Sequence, residues 1–235
     1  MLPSTLHPIG NRLIDSLPHL VRQQIAGDSK IVELVLHEVL CTSGQLVRYV
    51  YFPVTGYISM LAQVDQHSML QVGLIGDEGV LGGSIALGVD VSPQRGLVQG
   101  PGAAVRMTAV AFRRVLSDSP ALQRTLNRYT YVQMSQFAQA AACSRFHLIE
   151  TRLARWLLMT QDRAHAARFA MTQEFMAYML GVRRAGVTQS AGALQRRGLI
   201  HYARGVVTVV DRKGLEAAAC SCYEFGSALH ARIMH

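Results

Sequence analysis

The hydrophobic positions of this 235-residue chain follow two different patterns, one on each side of residue 107. Between residues 32 and 107, short apolar runs are separated by turn residues at intervals of about eight to twelve residues, which is typical of a β-sandwich or a β-roll. The predicted strands span residues 47–52, 57–64, 69–75, 97–99 and 104–107. Ahead of them, apolar residues at helical spacing predict a short helical lead-in over residues 1 to about 28.

Beyond residue 107 the spacing of the apolar residues becomes helical. A short helix is predicted over residues 108–117. Ser119 and Pro120 then open a longer helix that extends to about residue 144, because proline is tolerated in a first helical turn. The expected apolar seam of this long helix consists of Leu122, Leu126, Tyr129, Met134, Phe137 and Ala141. Further helices are predicted over residues 147–163 and 215–233.

The segment 171–202 combines the signals of two helices and a hairpin. Thr172 is a favourable N-cap and Gly181 can adopt a left-handed conformation, so a first helix is predicted between them. A second helix follows and ends at Gly198. Its inward face should consist of Val187, Ser190, Ala191 and Leu194, and its outward face of Arg184, Ala185, Thr188 and Gln189.

Two short strands around an Ala203-Arg204-Gly205 turn complete a winged helix-turn-helix in this prediction. In such a motif the first helix supports the second, whose N-terminal residues can reach base edges in a major groove of DNA. The simpler alternative is a helical hairpin at a domain edge with solvated arginines. The basic outward face, the small apolar inward face and the hairpin that follows at once favour DNA binding.

The net charge of +8 is distributed unevenly along the chain. Residues 145–213 contain twelve arginines and lysines against four acidic residues, whereas the charges before residue 145 nearly balance. This asymmetry indicates a polyanionic partner for the C-terminal third alone. A membrane surface is the weaker alternative, because the chain has no long basic amphipathic stripe.

No signal peptide and no run long enough to span a bilayer are recognisable, and the cysteines are too few and too scattered for a disulfide framework. We therefore expect a reduced, cytoplasmic protein without a membrane partner. Cys220 and Cys222, with His230 and His235 beyond them, resemble part of a zinc site. Because the two cysteines lack the usual two-residue spacer, the sequence favours buried structural cysteines, and no metal site is predicted.

An N-terminal roll, a long helix and a C-terminal winged helix-turn-helix together resemble the Crp/Fnr family of bacterial transcription regulators. The resemblance covers residues 32–210 and is most specific at residues 171–200. It implies an α+β chain with an N-terminal β-roll (a double-stranded β-helix) over residues 1–118, a long dimerisation helix over 119–145 and a DNA-binding domain over 146–235. It also implies a homodimer on a near-palindromic operator in double-stranded DNA, contact with RNA polymerase if the protein is an activator, and control by an effector in the roll.

Carried onto this sequence, the resemblance assigns DNA contacts to individual positions. Thr172 stands where the family contacts phosphate, and Arg184 stands where it uses an arginine against guanine. Ala185 replaces a base-reading glutamate and Gln189 replaces an arginine, so we expect a different target sequence. The expected contacts comprise Thr172, Arg183, Arg184, Ala185, Thr188, Gln189 and, in the wing, Arg204.

The predicted effector pocket rests on weaker similarity. Family members that bind cyclic AMP use a Gly-Glu pair for the ribose and an Arg-Ser or Arg-Thr pair for the phosphate. Here Gly76 and Asp77 stand at the first pair, and Arg95 is displaced by one position at the second, with no hydroxyl after it. The expected pocket residues are Gly76, Asp77, Glu78, Gly79 and Arg95. No cofactor is predicted, and cyclic AMP is not expected to be the effector.

An alternative function is a cupin-like enzyme domain with an accessory DNA-binding module. Such an enzyme needs a cluster of histidine and carboxylate ligands inside the roll. Only His37 and His67 lie in that region, and their spacing is not that of metal ligands. The sequence therefore favours a regulator without catalytic residues.

Overall fold

The computed structural model describes residues 9–65 and 68–234. Its N-terminal half is built on an antiparallel sheet with the strand order β1-β5-β3-β4, in which β2 also pairs with β5. The strands are β1 (Ser29–Leu34), β2 (Val39–Cys41), β3 (Tyr49–Gln63), β4 (Met69–Ile75) and β5 (Arg95–Thr108). The first half of β5 pairs with β2 and the second half with β1, so β5 extends along the whole roll.

The breaks that we predicted inside β3 and β5 are wrong. Residues 53–56 and 100–102 lie within continuous strands, because the β3–β5 register shifts between Pro53 and Thr55 and again between Thr55 and Tyr57. Such bulges bend a strand without ending it and accommodate proline and glycine. The bend lets each long strand serve both parts of the curled sheet.

Helices cover one end of the roll. They are α1 (Arg12–Asp15), α2 (His19–Gly27), a 3-10 helix (Gly83–Leu87), α3 (Ala109–Asp118) and α4 (Pro120–Phe146). The Ser119 hydroxyl accepts a hydrogen bond from the Leu122 amide at 3.1 Å and caps α4, and Pro120 occupies its first turn as predicted. A core of side chains from α1–α4 and the strands joins these helices to the roll.

The single apolar seam that we predicted along α4 is wrong, because the structure divides it between two faces. Leu122, Leu126 and Tyr129 are buried in the core with α1–α3, and Phe137 is half-buried against the interior of the roll. Met134 remains 64% exposed. The first half of α4 is therefore part of the N-terminal core.

The C-terminal part consists of helices around a small sheet with the order β6-β8-β7. Its elements are α5 (Ile149–Ala164), β6 (Arg168–Ala170), α6 (Gln173–Leu180), α7 (Arg184–Arg196), β7 (Ile200–Ala203), β8 (Val206–Val209), α8 (Arg212–Ala218) and α9 (Cys222–Met234). Strand β6 was not predicted. The single helix predicted over residues 215–233 is wrong: an extended Ala219 separates α8 from α9.

The α+β class with an N-terminal β-roll, a long helix and a winged helix-turn-helix is confirmed. Within the described part of the chain, none of the helices has the length and apolar character that a bilayer crossing requires.

Candidate nucleic-acid interface

The first helix of the predicted motif, α6, has the expected caps. The Thr172 hydroxyl accepts a hydrogen bond from the Phe175 amide at 3.1 Å, and Gly181 adopts a left-handed conformation with φ of +62°. Met176, Met179 and Leu180 are buried in the core of the C-terminal domain. The helix is therefore held by its apolar face, and its N-terminus remains at the surface.

The second helix, α7, presents the two faces that the sequence predicts. Val187, Ser190, Ala191 and Leu194 are buried. The opposite side is exposed and carries the predicted contact residues Arg183, Arg184, Ala185, Thr188 and Gln189. Helix α7 begins without a side-chain cap, since Arg183 occupies the N-cap position. Its first amide groups therefore point toward solvent and favour an anion there.

Thr188 connects the two helices of the motif. Its hydroxyl lies 2.7 Å from Oε1 of Gln173 in the first turn of α6 and 3.1 Å from the carbonyl oxygen of Arg184. The sequence did not single out Gln173. The contact links α7 to the first turn of α6, and a partner that approaches Thr188 meets a hydroxyl that already has protein neighbours.

The wing is a two-residue hairpin turn formed by Arg204 and Gly205, with φ values of +49° and +74°. Two successive residues with positive φ form the turn type that suits the twist of a hairpin. The Gly205 carbonyl oxygen accepts a hydrogen bond from the Met171 amide at 2.6 Å, which joins the wing to the segment just before α6.

An open cleft of about 440 Å³ separates the wing from the two helices. Its lining residues are Thr172, Gln173, Glu174, Arg184, Tyr202, Arg204 and Gly205. The predicted residues Thr172, Arg184 and Arg204, which come from three different elements, therefore face one common space.

The arginines of this surface differ in pairing from two other arginines of the C-terminal part. Arg197 lies 2.9 Å from Glu150, and Arg212 lies 2.8 Å from Asp162. Within residues 9–65 and 68–234, by contrast, Arg183, Arg184 and Arg204 form no ion pair. Their charge is available to an external anion.

The glycine-rich loop of the predicted effector pocket meets the C-terminal domain directly. Glu78 is buried, and its Oε1 lies 2.7 Å from Nη2 of Arg163 at the end of α5. Asp77 contacts Arg12 at 3.0 Å and His165 at 3.4 Å. Both carboxylates of the loop therefore already have cationic neighbours.

The glycines of the loop are tightly packed. The Gly76 amide donates a hydrogen bond to Glu78 Oε2 at 3.1 Å. Gly79 packs against the Tyr129 hydroxyl so closely that a side chain would not fit. Burial, followed by the charge of Glu78, raises the pKa of Tyr129 above its ordinary value, so this hydroxyl stays protonated.

Arg95, the fifth predicted pocket residue, lies apart from this loop. It pairs with Leu61 on β3, whereas Ile75, which precedes Gly76, pairs with Ile58, three residues or about 10 Å along that strand. A cavity of about 660 Å³ between the loop, α5 and α9 is lined by Glu78 and Arg163, and not by Arg95. The structure does not bring the five residues together.

The cysteines also assemble differently from the expectation. Cys220 and Cys222 cluster with Cys143 and His147, and not with His230; His235 lies outside the described residues. The contact with Cys220 lowers the pKa of Cys143, assisted by His147 and Arg155, and the same contact raises the pKa of Cys220. In the sequence, the four-residue spacing of Cys143 and His147 is the only local signal that these two residues share a site.

Comparison with known proteins identifies the helix-turn-helix and the fold. Residues 151–218 match the family model of the Crp-like helix-turn-helix domain. No curated protein sequence shows significant similarity to the chain.

Three solved structures are similar over most of the chain. A transcriptional regulator of the Crp/Fnr family from Eubacterium rectale has a TM-score of 0.68 at 16% identity and covers 88% of this chain and 97% of its own. FixK2 from Bradyrhizobium japonicum has a TM-score of 0.68 at 14% identity, with coverages of 82% and 98%. The global regulator CLP from Xanthomonas campestris has a TM-score of 0.67 at 15% identity, with coverages of 82% and 99%.

The Eubacterium rectale protein is a Crp/Fnr-family transcriptional regulator and CLP is a global regulator, and the matched domain model is likewise a Crp-like helix-turn-helix. The chain thus combines a Crp-like helix-turn-helix domain with the fold of the Crp/Fnr transcription regulators.

Proposed function

We propose that this protein is a transcription regulator that binds a near-palindromic operator in double-stranded DNA as a homodimer. The observation that carries the proposal is the surface around the cleft. Arg183, Arg184 and Arg204 are exposed beside the N-termini of α6 and α7, and none of them has an ion pair with any residue that the structure describes. Unpaired arginines and helix N-termini both attract phosphate oxygens.

The exposed residues of α7 support a division between base and phosphate contacts. A guanidinium such as that of Arg184 matches guanine O6 and N7 with two hydrogen bonds, glutamine at position 189 suits adenine, and Ala185 offers a methyl group to thymine. Thr172 and Arg204 border the cleft outside the helix, which supports phosphate contacts at these two positions. Regulators of this type often carry a glutamate and an arginine where this chain has Ala185 and Gln189. We therefore propose that this protein recognises a different operator sequence.

The exposed face of α4 supports the homodimer. Tyr131, Met134, Ala138 and Ala141 are exposed and follow one another at intervals of three, four and three residues. This spacing is that of a coiled-coil seam, and the two alanines permit close approach of a second helix. The pairing surface that we propose is this face, and not the buried Leu122–Leu126 side.

Control by an effector in the N-terminal half is the third part of the proposal. CLP, which shares this fold, is a c-di-GMP-responsive regulator, so a protein of this fold can answer to a ligand other than cyclic AMP. Because Asp77 and Glu78 are both engaged by cationic side chains and Arg95 lies elsewhere, we propose that cyclic AMP is not the effector here.

The experiment that tests DNA binding starts from selection of bound sequences from a random duplex library. Binding of the selected duplex is then followed by fluorescence anisotropy over a range of salt concentrations, and the mass of the complex by light scattering. We expect two copies per duplex and a log–log salt slope of roughly −0.9 for each phosphate contacted. Binding that does not depend on salt, or a selection that yields no motif, would contradict the proposal.

A further inference from the structure

Four side chains that can bind a soft metal ion converge where α4 ends and where α8 gives way to α9. Cys143 lies in the last turn of α4, and His147 is the C-cap of that helix. Cys220 lies in the α8–α9 connection, and Cys222 is the first residue of α9. Their ligand atoms all lie within 4.8 Å of one another, and the three cysteines are buried. Two segments separated by more than seventy residues thus contribute two ligands each.

The distances within this cluster agree with tetrahedral coordination. With Zn–S bonds of about 2.3 Å and Zn–N bonds of about 2.0–2.1 Å, a tetrahedral site separates two sulfurs by about 3.8 Å and a sulfur from a nitrogen by about 3.6 Å. The Sγ atoms of Cys143 and Cys220 are 3.6 Å apart, and Cys222 Sγ is 3.5 Å from Nδ1 of His147. These two edges, which together involve all four residues, already have the required length.

The surroundings of the cluster suit a metal–thiolate group. Three thiolates and a neutral imidazole around a divalent ion carry one net negative charge, and Arg152 and Arg155 are close enough to Cys143 to interact with it electrostatically. Nε2 of Gln139 lies 2.9 Å from Cys222 Sγ and donates a hydrogen bond to it. Such outer partners orient metal ligands and stabilise their charge.

We propose that Cys143, His147, Cys220 and Cys222 bind one zinc ion that fastens the terminal helices α8 and α9 to the end of α4. Four protein ligands leave no open position, which is the arrangement of a structural site. Thiolate-rich tetrahedral sets select zinc or iron–sulfur clusters. An iron–sulfur cluster would place several iron and sulfide atoms between the cysteine sulfurs. The four ligand atoms here lie within 4.8 Å of one another, which is too close to surround such a cluster.

A disulfide between Cys143 and Cys220 is the competing chemistry for the same residues. It requires an S–S distance of about 2.05 Å, so the two sulfurs would have to approach by more than an ångström from their separation of 3.6 Å. It would also leave Cys222 and His147 without a role, whereas zinc uses all four. The zinc proposal does not depend on DNA binding and is tested without DNA.

The test is performed on the full chain, purified under reducing conditions. Zinc content is measured by mass spectrometry, and zinc is then exchanged for Co²⁺ to record the visible spectrum. We expect one zinc per chain, and with Co²⁺ the intense visible bands of a tetrahedral site together with thiolate-to-cobalt charge transfer. His147→Gln, which changes a half-buried ligand, should retain cobalt with shifted bands and weaken binding by at least roughly the 10–100-fold that loss of an outer partner costs.

Matched variants separate this site from other thiols. Cys220→Ser should abolish stoichiometric zinc binding, whereas Cys41→Ser, which removes a cysteine of the roll outside the cluster, should leave zinc content and the cobalt spectrum unchanged. If Cys220→Ser does not fold, His147→Gln against His201→Gln, an exposed histidine of β7, provides the same comparison. Reduced protein without zinc or tetrahedral cobalt bands would overturn the proposal, and so would cobalt bands that persist in Cys220→Ser or stay unshifted in His147→Gln. A Cys143–Cys220 disulfide in protein that binds no metal would overturn it as well.

Discussion

Glu78 and Arg163 form a nearly buried ion pair that joins the roll to the DNA-binding domain. The two atoms in contact, Glu78 Oε1 and Arg163 Nη2, are 2.7 Å apart, and the side chains are only 8% and 12% exposed. Glu78 follows the glycine of the loop after β4, and Arg163 lies in the last turn of α5. The contact therefore connects the half of the chain in which an effector is proposed with the half that carries α7.

We expect Glu78→Gln to destabilise the protein by about 3 kcal/mol, because the substitution leaves the Arg163 charge buried without its partner. Asp28→Asn, which breaks the exposed pair between Asp28 and Arg114, is the control and should cost no more than about 1 kcal/mol. Urea unfolding followed by the fluorescence of Trp156, the only tryptophan, measures both changes. Equal effects of the two substitutions would show that the Glu78 pair does not hold the domains.

Two arginines of the proposed interface should differ in their effect on specificity. Arg184→Ala should weaken binding to the selected operator by about 1–3 kcal/mol, because a bidentate contact with guanine is lost. It should also reduce the discrimination between bases at one position of the operator. For the wing, Arg204→Asn removes the charge and keeps a residue type that tolerates the φ of +49°. Arg204→Asn should weaken binding to all DNA sequences about equally, because a phosphate contact carries no sequence information. Repeating the sequence selection with both variants checks this, and an unchanged motif for Arg184→Ala would refute its assignment.

The helix-turn-helix could be predicted from the sequence because its signals are local. Thr172 and Gly181 mark the ends of α6, and the spacing of Val187, Ala191 and Leu194 determines which side of α7 is buried. These residues act through caps and helical periodicity, which a single sequence contains. Both predictions of inward and outward faces are therefore confirmed.

The features that sequence analysis missed depend on tertiary contacts. Apolar residues on α4 give no sign of which partner covers them, so the sequence does not distinguish a side buried within the chain from a seam between chains. Pro53 and Gly56 are turn residues in isolation, but bulges keep them inside β3. Likewise, Cys143 and Cys220 are 77 residues apart, and only the packing of α9 on α4 brings them together.

The proposed pairing face of α4 predicts a specific effect on the oligomeric state. Met134→Glu should raise the dissociation constant of the homodimer roughly tenfold or more, because two carboxylates would face each other across the symmetry axis. Val110→Glu is the matched control, since Val110 is 75% exposed on α3, away from that face. Sedimentation velocity over a range of concentrations measures both variants. If Met134→Glu stays dimeric like the control, the pairing surface lies elsewhere.

Cyclic AMP should neither bind in the roll nor tighten operator binding. Its phosphate carries a negative charge. Burial of that charge requires a cationic side chain and hydrogen-bond donors directed at the phosphate oxygens. Asp77, which the resemblance offers to the ribose, already contacts Arg12 and His165. Beside it, Glu78 accepts hydrogen bonds from Arg163 and from the Gly76 amide, and Tyr129 closes the space next to Gly79. Arg95 lies about three residues further along the sheet, a distance of roughly 10 Å.

Isothermal titration of the protein with cyclic AMP measures this directly, and operator binding in the presence of the nucleotide provides a second readout. A saturable heat with a dissociation constant near 1 μM, equivalent to about −8 kcal/mol, together with tighter operator binding would refute the prediction. Glu78→Gln is an informative companion, because it frees Arg163 as an unpaired cation beside the loop. If weak binding of cyclic AMP arises only in that variant, the ion pair itself is what excludes the nucleotide from the native protein.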